Sequence, residues 1–181
     1  MSAPLFDAIG TTPLNPRKDG WFFDQYDTQV GVVGVLGGPA GVRATGWRLA
    51  VGGASIEPDE TVQRAIGQLR EYFAGQRLDF DLPLDWPPLE PTTRTVLETL
   101  MTVRAGETVT YAELAARSGT GVPARAIGSI MAANPLPLVI PCHRVVASDG
   151  LGGYSGGEPG RELETKRWLL EHEGALPPAL I

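Results

Sequence analysis

Cysteine is nearly absent from this chain of 181 residues, which has one cysteine and two histidines. A single cysteine cannot form an internal disulfide or build a cysteine-based zinc site alone, so we expect no bound metal and a reducing, cytoplasmic setting. Long apolar runs are missing too, and nothing approaches the ~20 residues of a membrane-spanning helix. The first ten residues, MSAPLFDAIG, lack the basic and apolar regions of a signal peptide.

Positive charge is the next shortage. Fifteen lysines and arginines against 21 acidic residues give a net charge of −6, which disfavours a general nucleic-acid binder because phosphate contacts need basic side chains. The segment 104–147 differs, since four arginines oppose two glutamates there for a net charge of +2: Arg104, Arg117, Arg125 and Arg144 against Glu107 and Glu113. We expect any polyanion contact to use this segment and to be modest in strength.

The first half of the chain predicts a small α/β domain. Aromatic and β-branched runs separated by glycines indicate strands within 21–26, 29–36 and 42–51, with a turn at GGPAG (37–41). Apolar residues at helical spacing then predict a helix over 58–75: Val62, Ile66, Leu69 and Phe73. These residues favour packing over chemistry.

A proline-rich stretch, LPLDWPPLEP (82–91), follows this helix. Proline cannot continue a helix or a central strand, so we interpret the stretch as the connection between two domains. We predict an N-terminal domain at 1–86, a linker at 87–91 and a C-terminal domain at 92–181.

The second half is mainly helical. One helix that ends before Gly106 has an apolar face made of Val96, Leu97, Leu100 and Met101. Thr110 and Glu113 form a capping box that starts a second helix through about Arg117. Pro123 suits the first turn of a third helix, which Asn134-Pro135 ends.

The second and third of these helices fit either a helix-turn-helix or an ordinary antiparallel pair, and the pattern alone favours the ordinary pair. The third helix, PARAIGSIMAA, is almost entirely small residues, with Arg125 as its only charge. Small residues allow close approach to another surface, into which Arg125 would project. Alternatively, the helix packs internally and Arg125 extends outward to solvent.

The cysteine lies in LPLVIPCHRVV. A lone buried cysteine is usually inert, but here His143 follows Cys142 directly. Pro141 favours extended backbone, in which neighbouring side chains point to opposite faces, so we expect no direct contact between sulfur and imidazole. The sequence allows a water to bridge the Cys142 sulfur and one nitrogen of His143, with a carboxylate from Glu171 or Glu173 at the other nitrogen.

Five glycines, two serines and one tyrosine occur in SDGLGGYSGG (148–157), the glycine loop. This density indicates a flexible loop or one whose backbone approaches a ligand closely. Tyr154 and Ser155 lie in its middle, where they can close a pocket over a flat ring.

NPLPLVIPCHRVV followed by GGYSGG resembles the active-site signature of the O6-alkylguanine-DNA alkyltransferases, or methylated-DNA–protein-cysteine methyltransferases. GETVTYAELA, ARAIGSIMAANP and KRWLLEHEG are similar to further segments of this family in the same order, and QLREYFAG with FDLPLDW to its N-terminal domain. The resemblance is strong over roughly 104–174 and weaker before residue 60. It implies a ribonuclease-H-like α/β domain followed by a mainly α domain with a helix-turn-helix and the active-site cysteine.

The resemblance implies cofactor-free, direct-reversal DNA repair by a monomer. The helix-turn-helix would bind the minor groove of a duplex, Arg125 would fill the gap left by a flipped O6-alkylguanine, and Cys142 would accept the alkyl group irreversibly in a single turnover. O4-alkylthymine is a second candidate substrate. In cells, such a protein would be cytoplasmic and associated with the nucleoid when bound to DNA.

The resemblance also implies a role for each site residue. The catalytic group comprises Cys142, His143 acting through water, Glu173, Tyr111 as rotator of the nucleotide and proton donor, and Asn134, which orders the cysteine segment. The DNA-binding group comprises Ala124, Arg125, Ala126, Gly128 and Tyr111. The pocket group comprises Met131, Pro137, Val145, Tyr154 and Ser155. Arg144 is predicted to be a structural hydrogen-bonding residue.

The chain departs from the family pattern in several places. Thr92 and Leu97 stand near positions where Phe and Trp are usual, Ile130 and Ala132 differ on the third helix, and EPGRE (158–162) looks like an insertion. The zinc ligands that some relatives have in their N-terminal domain have no counterpart.

Two other functions stay open. A lesion sensor would bind alkylguanine without repairing it, which Cys142 disfavours unless Ile130 or EPGRE closes the pocket. A cysteine hydrolase needs a directly paired histidine, which the spacing of Cys142 and His143 disfavours.

Overall fold

The computed structural model describes residues 20–47, 49 and 59–177. They fall into two compact units that divide between Pro88 and Leu89, inside the predicted linker. The end of the third predicted strand, beyond residue 49, lies outside the described residues.

The first unit is a three-stranded antiparallel sheet with one helix packed on it. The sheet order is β1-β2-β3, with elements β1 Phe22–Thr28, β2 Gly31–Gly38, β3 Gly41–Gly46 and α1 Glu60–Phe73. The predicted five-residue turn is shorter, because the β2–β3 pairing continues to Gly38 and Gly41. Asp59 begins α1, as its side chain accepts the backbone N–H groups of the first turn.

Part of the proline-rich stretch 82–91 extends the sheet, so the connection between the domains does not begin at residue 82; the predicted linker, 87–91, lies outside this contact. The Val42 N–H donates to the Pro83 carbonyl at 2.8 Å and the Asp85 N–H to the Val42 carbonyl at 2.9 Å. Proline lacks only its own N–H, so it can accept at a sheet edge. Gly41 is required at this contact, since its φ is 136° and a Cβ there would lie 2.6 Å from the Pro83 oxygen.

The second unit is mainly helical, and its helices differ from prediction in small ways. Its elements are α2 Pro91–Leu100, β4 Val109–Thr110, α3 Tyr111–Ser118, α4 Ala124–Ala132, β5 Val145–Val146 and α5 Glu162–His172. Helix α2 begins inside the predicted linker. Met101 does not join its buried face, because it lies past the last residue of the helix and is 43% exposed.

The capping box before α3 is confirmed. Thr110 Oγ1 accepts from the Glu113 N–H at 3.2 Å, and Glu113 Oε2 accepts from the Thr110 N–H at 2.8 Å. Gly119, with φ of 64°, ends the helix. Pro123 precedes α4 as its N-cap, one position before the predicted first turn.

One pairing in this unit was not predicted. Strands β4 and β5 run parallel, with Val109 opposite Val145 and Thr110 opposite Val146. Because α3 begins directly after β4, this pairing puts Tyr111 beside the strand that follows the cysteine. No helix among the described residues is long and apolar enough to cross a membrane.

Candidate active site

The cysteine lies on a single 3₁₀ turn, Cys142–Arg144, called here the cysteine turn. The prediction of extended backbone was wrong, because Pro141 has φ −80° and ψ 64° and the Arg144 N–H bonds back to the Pro141 carbonyl at 2.9 Å. The expected lack of a direct contact holds for another reason. His143 Nε2 bonds to Glu173, and its Nδ1 is buried without a hydrogen-bond partner in the part of the chain that the structure describes.

Glu173, directly after α5, binds two residues of the cysteine turn. Its Oε1 lies 2.8 Å from His143 Nε2 and 2.9 Å from Arg144 Nη2, and its Oε2 accepts from Arg144 Nε at 2.8 Å. Arg144 Nη1 donates to the Val103 carbonyl at 2.7 Å. The prediction that Arg144 makes structural hydrogen bonds agrees with this network, in which it also shares the carboxylate with His143.

Burial and charge set the protonation of this network. Burial alone would raise the pKa of Glu173, but the charge and hydrogen bonds from His143 and Arg144 outweigh it and lower that pKa to about 2. Burial, together with the charges of Arg144 and Lys166, lowers the pKa of His143, although Glu173 raises it. At neutral pH the carboxylate is therefore ionised and the imidazole is neutral.

Cys142 is buried, with 5% of its surface exposed. Burial raises its pKa, while a hydrogen bond from the Asn134 side chain, the charge of Lys166 and the N–H groups of the cysteine turn oppose that effect. The resting group is thus a thiol, and the contacts with Asn134, Lys166 and the N–H groups reduce the cost of forming the thiolate without removing it.

Asn134 holds the segment that leads into the cysteine turn. Its Nδ2 donates to the Ile140 carbonyl at 2.8 Å, and its Oδ1 accepts from the Leu136 N–H at 3.0 Å. Between them Leu138 has φ of 75°, the left-handed backbone that a leucine rarely adopts. The two Asn134 bonds hold this segment; the catalytic ordering role implied by the resemblance stays a prediction.

A cavity of about 230 Å³ opens beside the sulfur. It is lined by side chains and glycine backbone from four parts of the unit: Tyr111, Gly128, Met131, Ala132, Cys142, Gly153, Tyr154 and Ser155. Tyr111 Oη donates to the Gly153 carbonyl at 3.3 Å, and burial raises the pKa of its phenol. The cavity therefore presents a nucleophile, two aromatic rings and a neutral phenol to one small space.

Two predicted pocket residues are not among those lining the cavity. Val145 is fully buried in the β4–β5 pair, and Pro137 is half-buried in the segment before the cysteine turn. Ile130 and the EPGRE segment also do not line it.

Lys166 is the main residue that the sequence analysis missed. Its ammonium group is buried on α5 and donates to the carbonyls of Val145, Leu151 and Gly153 at 2.6, 2.5 and 2.9 Å. It thereby ties β5 to the glycine loop, and burial lowers its pKa to about 8. A signal was present, because Lys166 shares helical spacing with the buried Leu169, Leu170 and Glu173.

The outer face of the α3–α4 pair has few charges. Arg117 and Arg125 are exposed, while Ala124, Ala126 and Gly128 are half-buried along α4. A Cβ at Gly128 would meet no described atom within 4 Å, so packing among the described residues does not require glycine there. Because Arg144 is buried with Glu173, the exposed charge of 104–147 is three arginines against two glutamates, a net of +1.

Comparison with known proteins gives a consistent result. Residues 91–175 match the model described as 6-O-methylguanine DNA methyltransferase, DNA binding domain. The methylated-DNA–protein-cysteine methyltransferase of Mus musculus is 43% identical over 149 residues, 77% of this chain and 60% of the mouse protein. The Homo sapiens protein of that name is 51% identical over 122 residues, 64% of this chain and 56% of the human protein.

The match to a mycobacterial relative covers a larger share of that relative's own length than the mammalian matches do. The Mycobacterium tuberculosis protein of the same name is 40% identical over 116 residues, 64% of this chain and 67% of that protein. This chain belongs to the methylated-DNA–protein-cysteine methyltransferase family. The crystal structure of the M. tuberculosis O6-methylguanine methyltransferase superposes with a TM-score of 0.70 at 29% identity, over 88% of this chain and 96% of that one.

A second M. tuberculosis structure, in complex with DNA, has a TM-score of 0.71 at 30% identity and covers 87% of this chain and 96% of that one. The chain spans less than two thirds of the length of the mammalian methyltransferases. The part that matches the family's DNA-binding domain contains every cavity-lining residue together with His143 and Glu173.

Proposed function

We propose that this protein repairs alkylated DNA by direct reversal, transferring the alkyl group from O6 of guanine irreversibly to its own Cys142. The observation that supports this most is the position of the Cys142 sulfur at a cavity with Tyr111 and Tyr154, in front of a buried His143–Glu173 pair. Family membership supports the same chemistry. O4-alkylthymine is a second substrate to test.

The proton of Cys142 has a route away from the sulfur. The Sγ–H bond breaks, a water relays the proton, and His143 Nδ1, which is buried and has no hydrogen-bond partner among the described residues, accepts it. The negative charge stays on sulfur, near Lys166 and the N–H groups of the cysteine turn. A buried water needs several polar partners, and His143 Nδ1 supplies one of them to the water that relays the proton.

Transfer then exchanges one bond for another. The thiolate attacks the alkyl carbon, an S–C bond forms, and the C–O6 bond breaks with its electron pair passing to the guanine. Tyr111, neutral because burial raises the pKa of its phenol, supplies the proton that the departing guanine needs and is reprotonated from solvent. The thioether has no route back, so each molecule reacts once and no cofactor takes part.

The DNA contact is part of the same proposal. Helices α3 and α4 would act as a helix-turn-helix that enters the minor groove, with Arg125 filling the gap left by the flipped base. The small residues of α4 and the exposed Arg125 support this. We also propose a monomer located in the cytoplasm, with an N-terminal unit of ribonuclease-H-like topology.

The test is Cys142→Ser with a duplex containing one O6-methylguanine. We expect the variant to bind the duplex as the unaltered protein does and to leave the lesion intact, because the hydroxyl is a far weaker nucleophile than the thiolate. Loss of the lesion with the serine variant would contradict the assignment of Cys142. Binding without repair by the unaltered protein would instead favour the lesion sensor, which nothing in the cavity supports, since neither Ile130 nor EPGRE lines it.

A further inference from the structure

Two residues of the cysteine turn share one buried carboxylate. Arg144 binds Glu173 with two donors, Nε to Oε2 at 2.8 Å and Nη2 to Oε1 at 2.9 Å, and His143 Nε2 lies 2.8 Å from the same Oε1. The side chains of His143 and Glu173 are 0% exposed and that of Arg144 is 5% exposed. Solvent therefore cannot compensate an unbalanced charge in this cluster.

The charges of this cluster balance only when His143 is neutral. Arg144 and Glu173 form a neutral pair, so a proton added to His143 would be a buried cation without its own anion. The charged groups that act on the imidazole among the described residues are Glu173 and Lys166 from α5 and Arg144 from its own turn. Burial lowers the pKa of His143, Glu173 raises it, and Arg144 and Lys166 lower it further.

The bond geometry also sets which imidazole nitrogen holds the proton. A carboxylate only accepts hydrogen bonds, so His143 Nε2 must be the donor to Glu173, and Nδ1 in the neutral ring is then the acceptor. Without the guanidinium, the same carboxylate would be the counter-ion of His143, and a doubly protonated ring would be the balanced state. The two-point bond of Arg144 prevents that outcome.

We propose that Arg144 is a positioning residue, which by pairing with Glu173 keeps His143 neutral, with its proton on Nε2 and with Nδ1 able to accept another. Its chemical consequence rests on the proposed function, because the proton that Nδ1 accepts comes from Cys142 through water. The resulting imidazolium is balanced by the thiolate formed in the same step.

The direct test is nitrogen-15 NMR of histidine-labelled protein without DNA. His172 is the only other histidine in the chain, and the His172→Gln variant assigns the two signals. We expect His143 to be neutral with an unprotonated Nδ1 at neutral pH, and to become doubly protonated at a higher pH in Arg144→Met than in the unaltered protein. Two ring protons on His143 at neutral pH in the unaltered protein, or identical titrations of the two proteins, would overturn the proposal.

The second test is the pH profile of alkyl transfer. Arg144→Met should shift the acid limb to higher pH, so its loss of rate is larger at about pH 6 than at about pH 8.5. A purely structural role would lower the rate by the same factor at both. Arg144→Lys keeps a charge without the two-point bond, so its pH profile should lie between those of the unaltered protein and Arg144→Met. A profile equal to that of the methionine variant would contradict the charge argument.

These tests separate the two proposals. If the methionine variant does not fold, the spectrum of the unaltered protein still decides the state of His143. If no alkyl transfer occurs, the proposed function fails, while the NMR result stands by itself as evidence for or against the role of Arg144.

Discussion

Arg144 and Lys166 are two buried cations of the same unit with opposite kinds of partner. Arg144 pairs with a carboxylate, Glu173, whereas Lys166 donates to three backbone carbonyls and has no acidic side chain among those partners. The charge of Arg144 is therefore compensated where it lies, while that of Lys166 acts on the nearby sulfur of Cys142. In the proposed mechanism, Arg144 keeps His143 neutral and Lys166 favours the thiolate form of Cys142.

The largest effect should come from breaking the compensated pair. Arg144→Met leaves the Glu173 carboxylate buried with one partner fewer, so we expect the free energy of unfolding to fall by about 3–5 kcal/mol. Urea denaturation of the purified variant measures this. Adding Glu173→Gln to Arg144→Met should recover part of the loss, and a fall of less than about 1 kcal/mol would mean that the pair is not needed for stability.

Lys166→Met should have a smaller effect on stability but a direct one on the thiol. Only neutral carbonyls lose a donor, so the free energy of unfolding should fall by about 1–3 kcal/mol. Removing the positive charge should also raise the pKa of the Cys142 thiol, measured as a slower reaction with iodoacetamide at fixed pH. The control is Arg167→Met, the next residue on α5, which is exposed; equal thiol reactivity in the two variants would contradict the role of Lys166.

The pH dependence of stability should separate the two cations. The pKa of Glu173 is lowered from 4.5 to about 2, so its stabilisation is complete above pH 4.5 and is lost as the pH falls toward 2. The pKa of Lys166 is lowered from 10.5 to about 8, so the folded state releases that proton more readily and gains stability as the pH rises between these values. Glu173→Gln should remove the loss of stability at acid pH, and Lys166→Met should remove the gain of stability at alkaline pH. Urea denaturation at each pH measures both.

The smallest effect on stability should come from an exposed cation. Arg125→Ala should change the free energy of unfolding by less than about 0.5 kcal/mol, because the side chain lies at the surface. It should nevertheless slow repair of a duplex more than reaction with free O6-benzylguanine, since only the duplex requires base flipping. Equal losses on both substrates would remove Arg125 from that role.

The sequence predicts the local structure of the second unit well, because its signals are local. The capping box at Thr110, the buried face of α2 at Val96, Leu97 and Leu100, and the break at Gly119 depend on neighbouring residues in the chain. The cysteine turn was expected to be extended, and this was wrong. Proline restricts the residue before it but does not determine the backbone after it. The grouping of Cys142, His143 and Glu173 was predicted from the resemblance to the family, because their spacing in the sequence does not by itself indicate that they lie together.

The remaining features depend on contacts between distant segments. The β4–β5 pair is two residues long in each strand, too short to leave a periodic pattern. The addition of residues 83–85 to β3 uses the carbonyl of a proline, which composition alone interprets as a break. Lys166 escaped notice because a lysine on a terminal helix is ordinarily solvated, and its three acceptors lie 13 to 21 residues away.

The measurement that tests the account most directly is peptide mass spectrometry of the unaltered protein after incubation with a duplex that contains one O6-methylguanine. The account predicts the added mass of one methylene group on the peptide containing Cys142, in a one-to-one ratio with repaired guanine. An unmodified Cys142 peptide beside a lost lesion would contradict transfer to this residue, and an unmodified peptide beside a bound, intact lesion would contradict repair itself.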